Sequence, residues 1–201
     1  MALIPLQVSQ GQAKVLGSEF DCEFGPLASE GDLKAIYEAF KKAYPRADHY
    51  PYGYVIGSYC KSSDDGEPGG SAGVPLSSYL KDKGVDGYFI VARYFGGTKL
   101  GIPRLRRSFL EAAENAFKAS RLGQEVAVHC YRLEVEYGAY ETLNHFSRRY
   151  NYRLENTEFA LKVKTNVLSS GTLTEVFARI GIPSDAILEE STLTAIEEVQ
   201  Q

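Results

Sequence analysis

Apolar positions recur along this chain with two periods, and the places where one period gives way to the other predict its elements. Lys14 to Phe24 holds short alternating runs that suit a strand, whereas from Leu27 to Tyr44 the spacing lengthens, with Leu33, Ile36, Tyr37 and Phe40 on one helical face. Pro45 closes that helix. Tyr50 to Tyr59, rich in tyrosine and β-branched residues, reads as one strand, and Tyr50, Tyr52 and Tyr54 share a face of it. Lys61 to Pro75 reads as a long loop, because Gly66, Gly69, Gly70 and Gly73 disfavour regular structure. A short helix from Pro75 to Lys83 follows, then an apolar β-rich run from Gly87 to Phe95 that reads as a buried strand and that Gly96 and Gly97 end. Pro103 sits where a first helical turn tolerates proline, and Leu105, Phe109, Ala113 and Phe117 form the apolar face of a helix that Gly123 is expected to stop.

From Glu125 the pattern restarts: a strand through Tyr137, a helix from Tyr140 to Tyr150, two strands across Tyr152 to Val167, a helix from Thr172 to Ile180 and a last strand after Pro183. This β-α-β-β-α-β succession predicts a ferredoxin-like sandwich. Charge changes at the same place. Residues 1–123 carry 15 basic and 14 acidic side chains, net +1, and residues 124–201 carry 7 and 12, net -5, which together give the chain's -4. The expectation is an α+β protein of two domains, 1–123 and 124–201, with an exposed junction between Ser120 and Ala127.

A chain of 201 residues with 44% hydrophobic and 24% charged side chains is globular in composition, which sets aside disordered, collagenous and coiled-coil classes. Cys22, Cys60 and Cys130 form no C-x-x-C pair, so neither a disulfide framework nor a zinc knuckle is encoded, and a reducing cytoplasm fits best. The apolar start, Met1 to Gln10, has no basic segment before it and no small-residue cleavage pattern after it, so a secretory signal is not expected. No apolar stretch reaches the roughly 18 to 20 residues of a membrane span.

Two segments carry candidate chemistry. Ser63 to Gly73 places Asp64, Asp65 and Glu67 among Gly66, Gly69, Gly70 and Gly73. Such a loop can aim backbone N–H groups at an anion, although its own carboxylates oppose that unless Mg²⁺ bridges them. Equally, it is a turn in which Asp64 or Asp65 caps backbone N–H groups. The second segment, Arg93 to Arg107, follows with Arg93, Lys99, Arg104, Arg106 and Arg107 and no acidic residue from Gly87 to Leu110. Cations and a helix start converge there, which suits phosphate. The bland alternative is that Arg104 and Arg107 pair with Asp64, Asp65 or Glu67. His49, His129 and His145 lack metal-ligand spacing, and only His49, just ahead of the tyrosine strand, joins the candidate set. The tyrosine face itself suits stacking of single-stranded bases, or a core or partner-binding surface.

The string Asp64-Asp65-Gly66-Glu67-Pro68, then Gly70-Ser71-Ala72-Gly73 and Pro75, and the string Arg93-Tyr94-Phe95-Gly96-Gly97 with Leu100-Gly101, together resemble the IMPACT family and, with the second domain, its bacterial members. The resemblance implies a first domain like domain two of ribosomal protein S-five, similar to domain four of elongation factor G. It implies a ferredoxin-like second domain similar to domain five of that factor. It also implies a non-enzymatic binding module in translation or its regulation, without cofactor, whose partner is RNA, the ribosome or a translation-regulatory protein. Asp64, Asp65, Gly66, Glu67, Gly70, Gly73, Arg93, Tyr94, Gly96, Gly97, Lys99, Arg104, Arg107 and His49 are then the binding residues. The alternative is a Mg²⁺-dependent enzyme on a phosphorylated or nucleotide substrate, with the acidic loop on metal and Lys99, Arg104 and Arg107 on phosphate. Two departures from the family pattern stand out: Ile102-Pro103-Arg104 replaces a further glycine pair, and Leu16-Gly17-Ser18-Glu19-Phe20 lacks the family's basic residues.

Overall fold

The computed structural model describes residues 2–199. Its strands and helices are β1 (Leu3–Pro5), β2 (Ser9–Val15), β3 (Ser18–Gly25), α1 (Glu30–Ala43), β4 (Tyr52–Ile56), β5 (Tyr59–Ser63), α2 (Gly73–Lys83), β6 (Gly87–Tyr94), α3 (Ile102–Lys118), β7 (Leu122–Val135), α4 (Tyr137–Phe146), β8 (Tyr152–Phe159), β9 (Val163–Ser169), α5 (Thr174–Arg179) and β10 (Ile187–Val199). This is an α+β protein with two antiparallel sheets. Contacts divide it into two units, one running to Gln124 and taking in the chain from Glu198, the other spanning Glu125–Glu197. Among the described residues no helix is long and apolar enough to cross a membrane.

In the first unit the sheet order is β2-β3-β6-β4-β5. β6 lies at its centre and is buried on both faces, which accounts for its apolar run from Tyr88 to Ala92. Phe89 and Val91 pack with Leu76, Leu80, Leu105 and Phe109 of α2 and α3. Tyr88, Ile90 and Ala92 face Leu33 and Phe40 of α1, and Tyr50 and Tyr54 belong to that same cluster. The tyrosine face is therefore core. Phe20 meets Phe109 edge to face with centroids 5.0 Å apart, a geometry worth about 1 kcal/mol beyond the area it buries.

The Lys14–Phe24 strand expected from sequence is broken by a hairpin turn: Lys14 and Val15 end β2 and the rest from Ser18 is β3. Leu16 and Gly17, at φ 48° and 82°, make the two-residue turn between β2 and β3, whose right-handed twist calls for positive φ at both positions. Likewise Tyr50–Tyr59 is not one strand: β4 turns back at Gly57 into β5, so Lys61–Ser63, expected as loop, are paired strand, and Gly73 begins α2. Gly123 does not stop a helix. α3 ends at Lys118 and Gly123 is already inside β7, opposite Ile4 of β1. Within the expected junction, Leu122 to Ala127 belong to β7 and Leu122 to Gln124 pair with β1, while Arg121, Glu125 and Ala127 are exposed.

In the second unit β9 lies between β7 and β8, and β10 pairs with β7. Tyr131, Leu133, Val163 and Val167 pack beneath Leu143 of α4 and Phe177 of α5. Leu173 donates its N–H to the buried Tyr131 hydroxyl at 3.0 Å, which fixes the entry into α5.

Candidate functional site

The site grows from the end of β6. Beyond β4 the chain keeps pairing with β6 through Asp48 to Pro51: Asp48 donates to the Arg93 carbonyl at 2.8 Å and Arg93 donates to the His49 carbonyl at 3.0 Å. His49 is thereby set opposite Arg93 by sheet register alone. The Asp48 carboxylate accepts the Phe95 N–H at 2.7 Å and holds the chain leaving β6.

The acidic loop divides its three carboxylates among three tasks. Asp64 accepts the N–H groups of Gly70 at 2.7 Å, Gly73 at 2.8 Å and Ala72 at 2.9 Å, so it anchors the start of α2 where an anion is favoured. Partial burial pushes its pKa up, but those three hydrogen bonds outweigh burial and hold the carboxyl below its ordinary value. Asp65 sits at φ 45° and Gly66 at φ 85°. That turn aims the Asp65 carbonyl at His49, whose Nδ1–H donates to it at 2.7 Å, while the Asp65 carboxylate accepts the Tyr50 N–H at 2.6 Å. A carbonyl only accepts, so the His49 proton is on Nδ1 and Nε2 is left for other work.

Glu67 is the buried member. Both its oxygens lie 2.6 Å from Arg93 Nη1. The two side chains are 1% and 8% exposed respectively. The Arg93 guanidinium is held between the Phe20 ring at 5.7 Å and the Phe95 ring at 5.6 Å. Its Nε is buried without a hydrogen-bond partner.

Gly96 donates to Ser18 Oγ at 3.1 Å. A Cβ on Gly96 would lie 1.9 Å from the Gly17 carbonyl carbon, so the β2–β3 turn packs directly on this backbone. The segment that lacks the family's basic residues thus serves here as a packing partner. Gly97, at φ 81°, faces open space.

These parts enclose a cleft of about 420 Å³ whose lining combines the polar His49, Glu67, Arg93 and Lys99 with the largely apolar Pro68, Phe95, Leu100, Gly101, Ile102 and Leu105. The acidic loop and the basic stretch do meet, but through Glu67 and Arg93. Arg104 and Arg107 pair with none of the three carboxylates; both are exposed on α3 outside the cleft. Arg107 borders a separate shallow depression with Pro103, Arg106, Leu110, Glu111 and Glu114. Tyr94 points the other way, packed against the α1 side of the sheet. The apolar part of the cleft lining was outside the candidate set; the signal for it is Phe95 and Ile102, large apolar residues flanking the glycine-rich 96–101 segment.

The acidic loop does not fit a Mg²⁺ ion. Its carboxylates point to the α2 start, the Tyr50 N–H and Arg93, and among the described residues no three His, Cys, Asp or Glu side chains converge on a common point.

Comparison with known proteins agrees with the motif strings. The family model described as Impact N-terminal domain matches residues 16–117, which span β3 to α3 and the whole cleft. The chain is 38% identical to the IMPACT family member YvyE of Bacillus subtilis over 96 residues, 46% of this chain and 44% of that protein. It is 28% identical to the IMPACT family member YigZ of Escherichia coli over 172 residues, 82% of this chain and 83% of that one. A crystal structure of a hypothetical protein superposes with a TM-score of 0.60 at 23% identity, covering 96% of both chains, a likeness of fold. With the matched domain carrying both motif strings and half of the sequence, the chain belongs to the IMPACT family.

Proposed function

We propose that the protein is a non-enzymatic binding module of the cytoplasm, acting in translation or its regulation, and that the first unit engages RNA. The observation that carries this is the set Lys99, Arg104, Arg106 and Arg107, all exposed and none in an ion pair among the described residues. Arg93 is excluded from the set by its bond to Glu67. Four unpaired cations at and beside one helix N-terminus are a local phosphate surface on a chain whose net charge is -4. The ribosome and a translation-regulatory protein remain the other partners this reading allows.

The finer fold reading belongs here as well. We read 124–201 as a ferredoxin-like domain similar to domain five of elongation factor G, supported by the order β10-β7-β9-β8 with two helices over one face. Residues 1–123 are read as similar to domain two of ribosomal protein S-five. The Mg²⁺-dependent enzyme is set aside because the carboxylates of Asp64, Asp65 and Glu67 are engaged by the α2 start, the Tyr50 N–H and Arg93.

The test is a salt series with single-stranded RNA. Four phosphate contacts give a log–log slope of about -0.7 × 4, or roughly -2.8, and an affinity loss of about 50-fold from roughly 50 to 200 mM salt. Replacing Arg104 and Arg107 together with glutamine flattens the slope by about 1.4. An unchanged slope in that variant moves the binding surface elsewhere and favours a protein partner.

A further inference from the structure

The cleft combines features that a plain phosphate track does not need. Its lining includes Arg93, buried with its Nε unpartnered, and Lys99, exposed. The α3 N-terminus lies there too, opened by Gly101 and by Pro103, which has no N–H of its own. Beside them in the lining, Phe95 and Ile102 are 48% and 55% exposed, large apolar surfaces of a concave site. His49 Nδ1 is fixed by the Asp65 carbonyl, so its Nε2 is the atom left to receive or give a hydrogen bond. Glu67 does not oppose an anion here, since its carboxylate is 1% exposed and neutralised at 2.6 Å by Arg93. An apolar platform beside a localised positive end is complementary to a planar base joined to a phosphate. A bare anion would leave Phe95 and Ile102 unused, and an apolar ligand would leave the cationic end unmatched.

We infer that the cleft seats one unpaired nucleotide of a single strand, its base on Phe95 and Ile102 and its phosphate at Lys99 and the α3 N-terminus. The strand then continues over Arg104, Arg106 and Arg107. This rests on the RNA reading above and adds where a base is held.

The experiment titrates a short fluorescent oligoadenylate and free adenosine 5′-monophosphate into the full chain, its Phe95→Ala and Ile102→Glu variants, and the Arg104→Gln/Arg107→Gln variant. Ile102→Glu is informative because an acidic residue in a first helical turn stabilises the helix, so folding holds while a phosphate beside it is repelled. The expected result is an oligoadenylate affinity about tenfold lower in Phe95→Ala with unchanged salt slope, as for loss of one stacked base. Ile102→Glu also weakens binding, and the free nucleotide binds much more weakly than the strand. If oligoadenylate binds both cleft variants as it binds the parent while the double arginine variant loses affinity, the cleft inference fails and the RNA reading stands. Free nucleotide binding as tightly as the strand would overturn the strand as occupant. If oligoadenylate binds no form of the protein at low salt, the RNA reading falls and the inference with it.

Discussion

Removing the Glu67 carboxylate tests how the site is held together. In Glu67→Ala the Arg93 guanidinium stays enclosed between Phe20 and Phe95 with its side chain 8% exposed and its sole acidic partner gone. Breaking a buried pair from one side costs about 3–5 kcal/mol, because the remaining charge has lost both solvent and counter-charge. At a urea m-value of about 2 kcal/mol per molar, this moves the unfolding midpoint of the first unit down by roughly 1.5–2.5 M. Replacing both members with apolar residues, Glu67→Leu with Arg93→Met, restores most of that loss, so the double-mutant cycle reports a coupling of several kcal/mol. The midpoint shift should change little with salt, since a buried pair is poorly screened. Amide exchange should also rise from Gly96 to Arg107, the segment that leaves Arg93 for α3. A midpoint drop of less than about 0.5 M, roughly 1 kcal/mol, would refute the reasoning. It would mean that water in the cleft solvates Arg93 whether or not Glu67 is there.

Asp64→Ala strands three N–H groups at the start of α2 and should cost about 2–3 kcal/mol by urea unfolding. Because the Asp64 pKa lies below its ordinary 3.8 when folded, its contribution is complete above that value and is lost as pH falls through the lowered one; Asp64→Asn should therefore flatten the acid limb of the stability curve, and an equally steep limb would contradict this. Gly96→Ala should destabilise by about 3 kcal/mol through collision with the β2–β3 turn, whereas Gly97→Ala, strained at positive φ but free of neighbours, should cost only about 1–2 kcal/mol; equal losses by thermal unfolding would show that the turn yields.

What could be read in advance followed from large side chains. β6 and α3 announce themselves through Phe89, Ile90, Val91, Leu105 and Phe109, and the second unit through its clean alternation of periods. β2 did not, because its inward positions are Ser9, Gly11 and Ala13. They are small because α3 lies close: a Cβ on Gly11 would be 2.1 Å from the Ala116 nitrogen, and Ser9 Oγ donates to the Ala116 carbonyl at 2.8 Å. Hydrophobic periodicity is blind to a strand whose buried face must be small. β5, at the sheet edge with most of its residues exposed, had no buried face to report. The motif strings supply Glu67 and Arg93 of the cleft, but as partners for the acidic loop the sequence suggested the exposed Arg104 and Arg107. Arg93 has the parity of Phe89 and Val91 in an otherwise apolar strand, and a cation at such a position requires an acid from elsewhere in the chain. That parity is readable in the sequence; which of Asp64, Asp65 and Glu67 answers it depends on the turn at Asp65 and is not.

The backbone pairing of His49 with Arg93 would tie recognition of the nucleotide inferred above to the quality of folding. A strand that slips by one residue sends its side chains to opposite faces, so His49 and Arg93 share a cleft in only one alignment of the Asp48–Pro51 segment on β6. A ligand in the cleft therefore selects the correctly aligned sheet and adds its binding energy to that alignment alone, about 2.7 kcal/mol at a ligand concentration 100 times its Kd. Variants that loosen the sheet without touching the cleft would lose affinity in proportion to the misaligned fraction, and saturating ligand would restore their resistance to proteolysis.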